Sequence, residues 1–203
     1  MSLKVKYVLE YVFSLFFLIL FFPVILIIYL IILLIEKRNP IFKQKRVGKG
    51  GKEFYIYKFQ TMVKDADKVL EKNLKENENL LTEWLMYKKL KNDPRITKLG
   101  KILRKFSLDE LPQFFNVIKG DMTLIGPRPY LLDEIIDDKD FFKFYISLKP
   151  GITGLWQITG RNEIPFSKRV VLDKWYIKKR NLCLDLYIFL KTFIVVLQKK
   201  GSY

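Results

Sequence analysis

Asp109 and Glu110 stand side by side in KILRKFSLDELPQFFNVIKGDMTLIGPRP (101–129), with Arg104, Lys105, Lys119 and Arg128 close by. An adjacent acid pair among cations is a pattern suited to chemistry on a phosphate. One carboxylate attacks or holds a metal while arginines hold the anion. Adjacent carboxylates also suit Mg2+, which takes one or two protein carboxylates and completes its shell with water and substrate phosphate. Asp109 and Glu110 are therefore the candidate catalytic and metal-binding pair. The chain has no histidine, which excludes imidazole bases, histidine nucleophiles and the common zinc sites. Proton and metal work falls to Asp, Glu, Lys or Tyr.

A plainer reading of the same residues stands beside this one. Ser107-Leu108-Asp109-Glu110 has the form of a capping box, and acids in a first helical turn are favoured by the helix dipole. The two readings are compatible, because a carboxylate at a helix start stays ionised beside amides that help bind an anion. GPRP (126–129) and GITGLWQITGRN (151–162) present Arg128 and Arg161 from loops held by Gly and Pro. With Arg104 they form a candidate clamp for a nucleoside diphosphate, although each arginine alone also suits an ordinary surface position. Trp156 reads as a core residue in preference to a base-stacking one.

The elements that must position these groups begin with residues 11–35, which carry no charge over 25 positions. As a helix they extend roughly 37 Å, enough to cross a hydrocarbon core of about 30 Å. Lys4 and Lys6 precede the segment, and Lys37, Arg38, Lys43, Lys45 and Arg46 follow it, so both flanks carry the basic signature of the cytoplasmic side. Pro23, near the middle, removes a backbone donor. A helix broken at Phe22-Pro23 that enters and leaves one leaflet satisfies both observations; a plain span with a tolerated proline remains open.

Beyond it, residues 39–62 read as strand, glycine-rich turn (Gly48, Gly50, Gly51) and strand, a hairpin in preference to a phosphate cradle. Phe54 and Ile56 alternate with Tyr55, Tyr57 and Phe59. Residues 63–91 have the spacing of a solvated amphipathic helix or pair through Leu70, Leu74, Leu81 and Leu85. After Asp93-Pro94 a further helix places Ile96, Leu99, Ile102, Leu103 and Phe106 on one side. Cys183, the single cysteine, reads as a small core residue, and the run 184–200 as an apolar helix ending in cations. The expected class is α/β, helix-dominated with few short strands. The boundaries are a membrane-embedded segment, 1–36, and a membrane-associated catalytic domain, 37–203. Lys and Arg exceed Asp and Glu by 37 to 21, giving +16, which calls for an acidic partner. Nucleic acid would explain that charge but neither the lipid-compatible segment nor the acid pair; anionic lipids and phosphorylated substrates fit all three.

Taken together, the apolar segment with its proline, KFQTM (58–62), residues 93–129, KPGITGLWQITGRN (149–162) and LDKWYIKK (172–179) resemble the bacterial sugar transferases called monotopic phosphoglycosyl transferases. The resemblance covers nearly the whole chain. It implies transfer of a sugar-1-phosphate, galactose or glucose in the nearest pattern, from a UDP-sugar to undecaprenyl phosphate with release of UMP and use of Mg2+. It further implies a re-entrant membrane helix at the cytoplasmic face of the bacterial inner membrane, and later glycosyltransferases that take the product onward into a polysaccharide or glycoconjugate. By resemblance Asp109 is the aspartyl nucleophile, Glu110 its acidic partner, and Lys58, Arg104, Arg128 and Arg161 bind substrate phosphates. Gln60 departs from a commonly basic position, and Phe22 from one where serine often precedes the proline. The competing expectation is an inactive membrane-anchored binding or scaffold protein.

Overall fold

The computed structural model describes residues 3–198 and 201. Its first element is α1, Leu3–Leu34, a helix that runs on through Pro23. The break expected at Phe22-Pro23 is thus not a break in helical structure. Proline removes one donor and crowds one carbonyl, a local loss that the turns on either side outlast. One stripe of α1 is buried at helical spacing, through Lys6, Glu10, Ser14 and Leu18 and again through Ile28 and Ile32. The opposite side exposes Val8, Val12, Phe16, Ile19 and Phe22.

Strands β1 (Ile41–Val47) and β2 (Glu53–Phe59) pair antiparallel, with Ile41 opposite Phe59 and Val47 opposite Glu53. Their turn is a hairpin and not a phosphate cradle. Gly50 N–H donates to Ile146 O, Gly51 N–H to Gly48 O and Gly48 N–H to Lys52 O, so its amides are already spent. Phe54 and Ile56 point into the main core as the alternation predicts. Phe59, on the other face, is also buried, because Ile28 and Ile32 of α1 cover it.

Residues 63–91 form a helix pair, α2 (Ala66–Glu76) and α3 (Glu78–Tyr87), divided at Asn77, whose side chain accepts from Leu80 N–H. Helix α4 (Lys98–Lys105) turns Leu103 inward, but Ile102 and Phe106 are exposed, contrary to the single apolar face expected. Phe106 lies past the last helical residue, and Ile102 stands about 100° around the axis from Leu103. Next come α5 (Gln113–Ile118), β3 (Thr123–Ile125), α6 (Lys139–Tyr145) and β4 (Gly151–Thr153), with β3 and β4 paired in parallel. The chain continues through α7 (Leu155–Thr159), α8 (Phe166–Lys179) and α9 (Leu182–Gln198). The main core joins Val47, Ile56, Tyr130, Tyr145, Tyr176 and Ile188 across the hairpin, α6, α8 and α9. Helix-dominated with two short strand pairs among the described residues, the architecture matches the expected class.

Two differences concern the C-terminal region. Cys183 is exposed near the start of α9, where Asp185 and Ile188 take the inward positions instead. Lys199 and Lys200, the cations expected to end the helix, lie outside the described residues.

The N-terminal half of α1 is locked to the rest by a buried polar cluster. Lys6 Nζ pairs with Asp185 Oδ2 at 2.8 Å, donates to Ile125 O at 2.8 Å and meets Tyr176 Oη at 3.3 Å. Tyr176 O–H donates to Asp185 Oδ1 at 2.7 Å, and Glu10 accepts from the Thr123 hydroxyl. Buried charges persist only when so compensated, which makes this cluster a specific anchor. Further along, the Phe17 ring stacks on Phe114 of α5 at 4.1 Å.

Candidate active site

Separate pieces of chain converge on Asp109. The end of β2 supplies Lys58, whose Nζ donates to Glu110 Oε1 at 2.7 Å. Gly100 lets α4 lie directly against the strand's continuation, since a Cβ there would stand 2.2 Å from Thr61 O. That close docking delivers Arg104, whose Nε donates to Thr61 Oγ1 at 3.0 Å. Asp93 and Arg95 brace the approach to α4 with a buried two-pronged pair at 2.8 and 2.7 Å.

The chain then reverses at Ser107, in the left-handed region at φ 56°, and Leu108–Glu110 make one 3₁₀ turn. The capping box does not form. Ser107 makes no capping bond, and its Oγ instead accepts from Arg161 Nη2 at 2.9 Å. Helix α5 starts only after Pro112, so the acid pair is held beside a helix and not in its first turn.

Arg161 arrives from the 3₁₀ turn Arg161–Glu163, itself at positive φ, 49°. Its loop and that of Arg128 approach through glycine contacts: a Cβ on Gly151 would lie 2.1 Å from Gly126 N. Arg128 Nη2 donates to Glu134 Oε1 at 3.2 Å, and the guanidinium lies over the rings of Tyr130, Trp156 and Phe166. Arg104 and Arg161 therefore act electrostatically on the acids, while Arg128 is braced to one side. Trp156 is buried beneath Arg128 and Arg169, the core position expected. Gln60, the departure from a basic position, donates to Met62 O at 3.1 Å.

Lys89 is the residue that sequence reasoning missed. It lies between α3 and Asp93 in a lysine-rich run that reads as solvated surface, yet its charge feels Arg104, Lys58 and Arg128. Burial, followed by those cations, pushes its ammonium well below the usual lysine range. Burial and then the Glu110 charge push the Asp109 carboxyl up. Burial alone would raise Glu110 too, but the charge and hydrogen bond of Lys58 outweigh it and hold Glu110 low. Burial lowers Arg104 and Arg161 from their ordinary values.

Three groups are left without partners. Asp109, 8% exposed, accepts no hydrogen bond and forms no ion pair among the described residues. Arg161 Nη1 is buried with no acceptor. Lys89, half-buried, has neither ion pair nor hydrogen bond among the described residues. Buried polar groups are normally satisfied, so orphans of both signs around one point mark a site completed by a ligand. An anion answers the arginine and lysine, and an electrophile or a cation answers the carboxylate. Among the described residues no cluster of three or more acids, cysteines or histidines occurs. The two carboxylates fit a Mg2+ that shares its shell with a phosphate, and not a cage made by protein alone.

The family model described as bacterial sugar transferase matches residues 1–199. The chain is 48% identical over 163 residues to the undecaprenyl-phosphate galactose phosphotransferase of Salmonella typhimurium, covering 80% of this chain and 34% of that protein. It is 43% identical over 162 residues to the exopolysaccharide production protein ExoY of Rhizobium meliloti, covering 80% and 72%. A third relative, the UDP-glucose:undecaprenyl-phosphate glucose-1-phosphate transferase of Xanthomonas campestris, is 38% identical over 170 residues, covering 80% and 32%. The chain thus matches about a third of the length of several of its relatives.

Proposed function

The chain belongs to the bacterial sugar transferase family, and on that footing we propose that it transfers a sugar-1-phosphate from a UDP-sugar to undecaprenyl phosphate. The observation that carries this reading is the unpaired, buried Asp109 carboxylate set among Lys58, Lys89, Arg104 and Arg161. Names of relatives that act on undecaprenyl phosphate with galactose or glucose supply the substrate class.

In the proposed reaction an Asp109 oxygen attacks the phosphorus that bears the sugar. The bond from that phosphorus to the bridging oxygen breaks, and UMP leaves with the electron pair. A phosphate oxygen of undecaprenyl phosphate then attacks the acyl-phosphate and frees the carboxylate. Lys58 keeps Glu110 ionised beside the nucleophile, and Arg104, Arg161 and Lys89 hold the phosphate oxygens together with Arg128, which reaches them from the edge of the cluster. Asp109 and Glu110 would hold Mg2+, which when bound offsets charge on the diphosphate. The test is purified protein with undecaprenyl phosphate and a panel of UDP-sugars, read by UMP. Release with one or two hexose donors is expected. Silence across the panel, with nucleotide still bound, would favour the membrane-anchored binding protein instead.

The membrane arrangement belongs to the same reading. Lys6 near one end of α1 and Ile32 near the other both pack on the catalytic part. A helix of 32 residues extends about 48 Å, and upright through a bilayer it would drag that part into hydrocarbon. A helix that dips into the cytoplasmic leaflet, outer face to lipid, keeps Asp109 near the headgroups where the lipid phosphate lies. Later glycosyltransferases would collect the product there, and anionic lipids would attract the basic surface. With Cys183 replaced by Ser, single cysteines at Lys4 and Lys43 should both resist an impermeant thiol reagent in intact cells. Both should react once the inner membrane is opened. Outside labelling at Lys4 alone would mean a spanning helix.

A further inference from the structure

The loop that carries Arg128 is tied down by one fully buried acid. Pro127 and Pro129 have no N–H, so Arg128 supplies the only backbone donor of residues 127–129. That donor goes to Asp173 Oδ2, on α8, at 3.0 Å. The same oxygen accepts from Tyr130 O–H at 2.8 Å. The rest of the loop is fastened to the hairpin and α6. Tyr130 N–H donates to Tyr145 Oη at 3.2 Å, Tyr145 O–H to Val47 O at 2.7 Å, and Arg46 Nη1 to Pro129 O at 3.2 Å.

Asp173 has no exposed surface, and its second oxygen, Oδ1, is buried without a hydrogen bond. A neutral amide would satisfy the same two donors without burying a charge, so an acid here is costly unless its charge is used. We infer that Asp173 is a positioning residue for Arg128: its carboxylate grips the loop from behind and fixes where the guanidinium is presented to substrate phosphate. The inference rests on the proposed role of Arg128 as a phosphate ligand.

The charged and titratable groups around Asp173 are Arg128 and Tyr130 from the loop, Tyr145 from α6, and Arg169 one turn earlier on α8. Burial pushes the Asp173 carboxyl up to about 7, against the pull of the two hydrogen bonds and Arg128. An ionised acceptor binds an N–H more strongly than a neutral one, so the grip tightens as pH rises through about 7. The sign for stability is opposite. A raised folded pKa gives stability that is complete below the ordinary aspartate value and lost as pH rises through the folded one.

The test measures UDP binding to the full-length protein by calorimetry between pH 6 and 8, for Asp173→Asn, Arg128→Ala and the double variant. Asp173→Asn should weaken UDP about tenfold at pH 8, the difference between a charge-assisted and a neutral hydrogen bond. It should bind at pH 8 as the parent does at pH 6, and its melting temperature should fall less than the parent's as pH rises from the ordinary aspartate value towards about 7. In the Arg128→Ala background the same change should cost under about twofold, because it acts through the arginine. Should Asp173→Asn fail to fold, Tyr130→Phe removes one donor from the same oxygen and should move the pH limb upward. Equal losses with and without Arg128, or a parental pH profile in Asp173→Asn or Tyr130→Phe, would overturn the inference, as would a parent that binds no UDP. A parent that binds UDP with the expected pattern but releases no UMP would sink the proposed reaction and leave the role of Asp173 standing.

Discussion

Asp109→Asn is expected to reduce sugar-phosphate transfer to background while leaving the fold intact. Asn has the shape of Asp but no nucleophilic oxygen, so neither UMP release nor a covalent protein–sugar-phosphate species should survive. Incubation with a UDP-sugar labelled in the β-phosphate should mark the parent and not the variant. The same change should raise the melting temperature at neutral pH. Asp109 is buried without a partner and its carboxyl is pushed up, first by burial and then by Glu110. A raised folded pKa gives a contribution complete below the ordinary aspartate value and lost as pH rises through the folded one, so the neutral amide relieves a penalty present at pH 7 and absent well below pH 4. Glu110→Gln should also suppress transfer without that gain, because it breaks the Lys58 pair, about a third exposed on both sides, which adds little to stability. Near-parental turnover in Asp109→Asn would remove the covalent route altogether.

The sequence made the acid pair legible because its chemistry is local: two carboxylates, nearby cations, no histidine. The hairpin and the helix pair were legible for the same reason, since turn residues and apolar spacing act over a few positions. What escaped depends on contacts distant in the chain. A capping box is the natural reading of Ser107 and Glu110 until Arg161, 54 residues on, claims the Ser107 hydroxyl. Lys89 looks like one more surface lysine until α4 and β2 bring Arg104 and Lys58 beside it. Phe59, on the strand face opposite Phe54 and Ile56, is buried because Ile28 and Ile32 of α1 cover that face too. Apolar neighbours point Cys183 inward, but on a helix anchored through Asp185 and Ile188 the anchor sets its direction, and it is exposed. In each case a contact distant in the chain decides an outcome that the local pattern leaves open or points the wrong way.

Arg161 is where such a partner matters most for activity. Arg161→Lys should lower kcat/KM by about 10- to 150-fold, the range of a lost charge-assisted hydrogen bond of about 1.5–3 kcal/mol. One arm of the guanidinium, Nη2, is spent on Ser107, and the other, Nη1, is buried without an acceptor. The planar fork can therefore brace the catalytic turn and hold a phosphate oxygen at once. A lysine ammonium at the same site is a single point and must give up one task or the other. Arg161→Ala should cost at least as much, since burial already opposes the arginine charge and an anion supplies its compensation. Ser107→Ala separates the two arms. It frees Nη2 while leaving Nη1 for substrate, and should cost only the net worth of an ordinary hydrogen bond, about 0.5–1.5 kcal/mol or about 2- to 13-fold. Equal losses in Ser107→Ala and Arg161→Ala would mean that the arginine only supports the turn. Losses under about threefold for Arg161→Lys, well below the expected range, would leave its buried Nη1 unexplained and move the phosphate contact to Arg104 and Lys89.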